Sequence, residues 1–216
     1  SLAFEDFKRA LVFETKSEEI FYNAARISYN TGNYEEAEAY VQKAIELRHK
    51  YLKAYQLQTN IKLMLDKLDD AQLSSRKALA LKDNDVNHYL AGQVAEKMNN
   101  LNLAEEEYVK AISKNRKYVE AYIALASLRI KLNKLSQAMN DCNVAINLDN
   151  NNTDAYLVRS RVSVKKLDYP KAIDDISRNI LLNPEDKQMY LIRGNYYQEF
   201  TQHQNAISDF TKVIML

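Results

Sequence analysis

Alanine recurs at Ala3, Ala37, Ala71, Ala104, Ala138, Ala172 and Ala206, at intervals of 34, 34, 33, 34, 34 and 34 residues. A second register seven residues downstream reads Ala10, Ala44, Ala78, Ala111 and Ala145, and drifts only at Asn179 and Val213. Seven residues are two helical turns, so both small residues lie on one face of one helix, where a neighbouring backbone can approach closely. A fixed period of this size marks an array of stacked supersecondary units. With 3 glycines and 2 prolines in 216 residues there is little material for hairpin turns between strands, which points to an all-α chain.

Within Glu18 to Tyr51, Phe21, Ala24, Ala25 and Ile27 trace one face of a first helix, Thr31-Gly32-Asn33 breaks it, and Tyr34, Ala37, Val41, Ala44 and Leu47 trace a second. Each repeat is therefore a helix hairpin. The pattern returns with Tyr55, Leu68, Ala71, Ala78 and Leu81, then with Tyr122, Leu125, Ala126, Leu135, Ala138, Ala145 and Leu148. It recurs as Tyr156, Tyr169, Ala172, Ile176 and Leu182, where Asn183-Pro184 closes the repeat, and as Tyr190, Gly194, Tyr197, Ala206 and Phe210.

An aromatic early in the first helix, a small pair in mid-helix, a turn, alanines in the second helix and a proline near the end resemble the tetratricopeptide repeat. The resemblance covers the whole chain and implies a right-handed superhelical solenoid of helix hairpins. It predicts six tandem repeats at 18–51, 52–84, 85–118, 119–152, 153–186 and 187–216, the last truncated, after a segment 1–17 that is the second helix of a partial repeat or an N-terminal cap. The chain departs from the pattern at the proline place, filled only by Pro184 and elsewhere by His49, Asp83, Arg116 and Asn150. The one short interval is placed in Lys82 to Asn87, which puts Ala91-Gly92 at the small pair and His88 at the aromatic place; the alternative gives that place to Tyr89.

Convergent catalytic groups are absent from the sequence, so no enzyme and no cofactor are expected. His49, His88 and His203 fall in different repeats, and no His or Cys lies three or four residues from another, which argues against a metal site. Cys142, the single cysteine, lies between Ala138 and Ala145 on the inward face and reads as packing. The 30 basic and 29 acidic residues are interspersed, so no basic stripe for nucleic acid exists, and Tyr55, Tyr122, Tyr156 and Tyr190 share one repeat position, which marks them as core. The apolar stretch from Ala121 to Leu128 ends at Arg129, too short for direct membrane insertion. Compartment stays open.

In the tetratricopeptide family the first helices line the concave surface. The corresponding stripe here contains Tyr22, Arg26 and Tyr29; Gln56, Asn60 and Leu63; Tyr89, Gln93 and Glu96; Ile123, Ser127 and Ile130; Leu157, Arg161 and Val164; Leu191, Asn195 and Gln198. Its middle member is polar in every repeat, and in the fourth and fifth both flanking members are aliphatic. The expected groove for a protein or peptide partner comprises Tyr89, Gln93, Ile123, Ser127, Ile130, Leu157, Arg161, Val164, Leu191 and Asn195, with Lys97, Lys131 and Lys165 at its edge. The same aliphatics could instead be half-buried between neighbouring first helices, and the sequence leaves the two readings level. Some family members hold the acidic C-terminus of heat-shock chaperones in a clamp of lysines and asparagines; the matching places carry Tyr22, Arg26, Leu57, Val86 and Leu90, so that clamp is not expected.

Arg159 and Arg193 occupy an inward place of the first helix where an unpaired guanidinium would be prohibitive, and Asp175 and Asp209 follow each by sixteen residues. Two equivalent Arg to Asp pairs are the expectation. The competing functional reading is an oligomerisation module, with weak self-association through Phe4, Phe7 and Phe13 at one end and Val213, Ile214 and Leu216 at the other.

Overall fold

Six helix hairpins follow one another along residues 17–216, the part of the chain that the computed structural model describes. The half-hairpin expected at 1–17, with Ala3, Phe4, Phe7, Ala10 and Phe13, lies outside these residues except for Ser17. The first three hairpins are α1 (Glu18–Asn30) with α2 (Tyr34–Leu47), α3 (Leu52–Met64) with α4 (Leu68–Leu81), and α5 (Asp85–Lys97) with α6 (Leu101–Lys114). The next three are α7 (Val119–Lys131) with α8 (Leu135–Leu148), α9 (Thr153–Lys165) with α10 (Tyr169–Leu182), and α11 (Lys187–Glu199) with α12 (His203–Met215). No strand occurs among the described residues. The contacts divide the chain into two compact units, one ending at Lys114 and the other beginning at Asn115. Within each, every helix packs on the one before it.

The register follows from the linkers. Four residues join α2 to α3, α8 to α9 and α10 to α11, whereas three, Lys82 to Asn84, join α4 to α5. The short interval therefore lies in this linker, and His88 takes the buried aromatic place while Tyr89 is half-exposed. Asn87 compensates for the shortening. It is fully buried and its Nδ2 donates to the carbonyls of Ala78 at 2.9 Å and Lys82 at 2.6 Å, closing the end of α4.

All six hairpin turns share one backbone solution. Gly32, Asp66, Asn99, Asn133, Leu167 and Thr201 occupy the same place and all have left-handed φ, from 55° to 80°. In the first turn Asn33 N donates to Ser28 O at 2.8 Å and Gly32 N to Tyr29 O at 3.1 Å, a Schellman pair that satisfies the last carbonyls of the helix. The pair recurs in the fifth turn, with Asp168 N to Ser163 O at 2.9 Å and Leu167 N to Val164 O at 2.8 Å. Glycine, asparagine and aspartate tolerate this conformation; leucine does not, and Leu167 is exposed, so its side chain returns little packing. Leu167→Asn should stabilise the protein by about 0.5–1 kcal/mol. An unfolding midpoint that fails to rise would contradict this.

The alanine registers are the close contacts. Ala37, Ala71, Ala104, Ala138 and Ala172 are fully buried, as are Ala44, Ala78, Ala111 and Ala145. Where the second register drifts, Asn179 remains buried and its Nδ2 donates to Thr153 O at 2.9 Å. A second size rule operates across each hairpin. Gly92 faces the ring of Tyr108 and Gly194 faces Phe210, so closely that a Cβ at either glycine would lie 2.5 Å from a ring carbon. At the same place the fourth and fifth repeats set Ala126 opposite Cys142 and Ser160 opposite Ile176, keeping the summed volume of each pair within bounds.

Candidate functional site

On the first-helix face of the second unit, α7, α9 and α11 each present one polar side chain at the same register. Ser127 is half-buried, and Arg161 and Asn195 are exposed. Their aliphatic flanks differ in kind. Ile123 and Ile130 pack against the cluster of Ala126, Ala138, Cys142, Val158 and Val162, and Leu157 packs against Ile176, Ile180 and Met189. Val164 is half-buried, and Leu191 is exposed at 38%. Packing between helices thus consumes much of the apolar surface at Ile123, Ile130 and Leu157, while Arg161, Leu191 and Asn195 face solvent. In the first unit Tyr89 and Gln93 are half-buried, with Gln93 Nε2 donating to Tyr89 Oη at 3.2 Å. Lys97, Lys131 and Lys165 are all exposed.

Arg159 and Arg193 form a repeated bridge inside the second unit. Arg159 donates from Nε to Asp175 Oδ2 at 3.0 Å and from Nη2 to Oδ1 at 2.6 Å. Arg193 does the same to Asp209, at 2.8 Å and 2.7 Å. The remaining guanidinium nitrogen reaches the preceding repeat: Arg159 Nη1 donates to Asn143 Oδ1 at 2.9 Å, and Arg193 Nη1 to Ser177 Oγ at 2.9 Å. Each arginine therefore spans two consecutive second helices, sixteen residues forward and sixteen back. Gln58 makes the neutral version in the first unit, donating to Gln42 Oε1 at 3.1 Å and accepting from Ser74 Oγ at 2.8 Å. In the fourth repeat Leu125 takes the arginine place, and the acid there, Asp141, is served by Arg129 Nη1 at 2.7 Å. The forward aspartates followed from spacing alone. The backward acceptors were missed, although Asn143 and Ser177 lie 34 residues apart.

Hydrogen bonding to Asp175 holds the Arg159 guanidinium proton above its ordinary range, while burial pushes the Asp175 carboxyl up in spite of the arginine. Desolvation is thus as large an effect here as attraction, the signature of a pair that positions helices and is costly to break from one side. Cys142 is fully buried and its thiol is pushed up to about 12 by burial, so it stays protonated at neutral pH. His88 places its ring nitrogens 2.6 Å from Glu107 Oε2 and 2.7 Å from Asp83 Oδ1, a structural cluster at the junction of the second and third repeats. Among the described residues no group of three metal-ligating side chains occurs, and no helix is long and apolar enough to cross a membrane. On α12, Ile214 is 85% exposed, whereas Ile146 and Ile180 at the same register are each 8% exposed.

Family models described as the tetratricopeptide repeat match residues 18–51, 87–118 and 119–152. No curated protein matches the chain in sequence. Among solved structures, the APC/C hetero-tetramer Cut9-Hcn1 is similar over 98% of this chain and 42% of its own, with a TM-score of 0.82 and 14% identity. PilF of Pseudomonas aeruginosa is similar over 89% of this chain and 88% of its own, with a TM-score of 0.77 and 17% identity. YrrB, a TPR protein with an unusual peptide-binding site, is similar over 85% of this chain and 95% of its own, with a TM-score of 0.59 and 21% identity. At these identities the likeness is one of fold. Tetratricopeptide repeats are in general protein–protein interaction modules and non-catalytic scaffolds. Residues 18–51, 87–118 and 119–152 are thus tetratricopeptide repeats, and the other three hairpins share their register and their left-handed turn, so the described chain is an array of six hairpins of the tetratricopeptide type.

Proposed function

We propose that this protein is a non-catalytic scaffold that binds a peptide segment of a partner protein on the first-helix face of its second unit. The observation that carries the reading is the exposure of Arg161 and Asn195 at one register on α9 and α11, with Leu191 exposed beside them. Side chains at one repeat position form a row with fixed spacing, which suits the backbone polar groups of a bound segment, and Leu191 offers an apolar contact. Ser127 continues the row at the neighbouring repeat. Lys131 and Lys165 add positive charge next to it and would steer an acidic segment.

Affinity should be modest, about micromolar or near −8 kcal/mol, because a flexible segment is ordered on binding. The test uses a fluorescent peptide selected against the protein from a display library. Arg161→Ala combined with Asn195→Ala should weaken binding about tenfold or more, with little change in unfolding midpoint. Leu191→Asp should weaken it too, and is preferable to a change at Ile130, whose packing against the Val158 and Val162 cluster would confound the result. Binding that ignores all of these substitutions sinks the reading.

A further inference from the structure

We propose that the third repeat carries a second docking site: a slot between α4, α5 and α6 that accepts one aliphatic side chain of a protein partner together with an acidic side chain next to it. This site lies in the first unit and is independent of the face proposed above.

Gln58, Ala91, Leu125, Arg159 and Arg193 occupy one place on successive first helices. Gln58, Arg159 and Arg193 fill the space between consecutive second helices and bond to both of them. Ala91 ends at Cβ, and a cavity of about 220 Å³ remains, walled by Leu79, Ala91, Val94 and Leu103. The space that an arginine occupies in the fifth and sixth repeats is thus present in the third without its occupant.

The polar groups at the slot decide what can enter. In the fifth and sixth repeats the carboxylates of Asp175 and Asp209 receive the arginine. Glu107 holds the same register in the third repeat, but its Oε2 is taken by His88 Nδ1 at 2.6 Å and its Oε1 by Lys110 Nζ at 2.9 Å. That carboxylate is satisfied from the side and demands no further cation. At the opposite end, where Asn143 and Ser177 supply acceptors, the third repeat carries Arg76, an exposed donor. Gln72, another lining residue, adds an amide. The sign at that end of the slot is therefore inverted, from acceptor to donor. An occupant must bring an aliphatic group for the walls and a carboxylate for Arg76.

The experiment is a titration of the full chain with the peptide acetyl-Ser-Glu-Leu-Glu-Ser-amide, read by methyl NMR at Leu79, Val94 and Leu103. These methyls should shift with half-saturation at about millimolar peptide, as one small anchor allows. Peptides with leucine replaced by serine, or glutamates by lysines, should not shift them. Arg76→Glu, an exposed change that leaves the fold intact, should weaken binding about fivefold or more. Ala91→Leu fills the slot as Leu125 does in the fourth repeat, and should abolish the shifts while raising the unfolding midpoint. Unshifted methyls in folded protein would overturn the proposal. So would equal binding by the lysine peptide, undiminished binding to Arg76→Glu, or retained binding to a stable Ala91→Leu variant.

Discussion

Asp175→Ala should destabilise the second unit by about 3–5 kcal/mol, measured by chemical denaturation, because it strands the Arg159 guanidinium between two helices. Asp175 is 3% exposed and provides both oxygens of the fork, while Asn143 engages only one of the arginine nitrogens. Removing both partners is a different matter. Arg159→Leu follows the apolar choice that Leu125 makes in the fourth repeat, and combined with Asp175→Leu it should fall within about 2 kcal/mol of the parent, on either side, since two desolvated charges disappear together. The cycle separates the bridge from ordinary packing: if the single aspartate change costs under about 1 kcal/mol, the pair is a surface-like contact. Asp209→Ala should repeat the effect in the sixth repeat through Arg193.

Gly92→Ala should lower stability even though alanine is the better helix former. The backbone term favours alanine by about 1 kcal/mol at a helix interior. Against it, the new Cβ would lie 2.5 Å from Cδ1 and Cε1 of Tyr108. That ring cannot swing aside: Tyr108 is 1% exposed, its hydroxyl donates to Glu96 Oε2 at 2.8 Å, and its ring lies 5.8 Å from that of Tyr89. Overpacking of this sort costs about 1–3 kcal/mol, so with the backbone gain subtracted the net loss should be up to about 2 kcal/mol. The sign should reverse when Tyr108 is also made small. The first repeat sets Ala25 opposite Val41, and in a Tyr108→Val background Gly92→Ala should become stabilising. A Gly92→Ala protein that melts above the parent would show that the facing ring yields freely and that the glycine is not needed for close approach.

How much of this was legible in the sequence depends on how far apart the interacting groups lie along the chain. The helix faces are written in residues three to seven apart, because one helix face repeats at that spacing, and the recurrence of the same pattern every 33 or 34 residues gives the period and places the short linker. The forward Arg to Asp bridge also stays within one hairpin, and was readable for that reason. Leu167 and Thr201 were not readable as left-handed turn residues, since nothing in a leucine or threonine asks for that backbone; the Schellman closure of the hairpin imposes it. The aliphatics Ile123, Ile130 and Leu157 read equally well as groove or as packing, and their contacts with Val158, Val162, Ile176 and Met189 belong to neighbouring helices.

The sequence by itself determined the repeat, the hairpin and the inward alanines, because these rest on local periodicity and on the small volume that close helix contact requires. Only the tertiary structure decided which polar and apolar side chains remain exposed, which acceptor lies behind each arginine, and that Ala91 leaves space open between α4 and α6. Those properties arise when one hairpin stacks on the next. The distances that govern them run between repeats, where the period specifies that neighbours meet and leaves open what each side chain finds there.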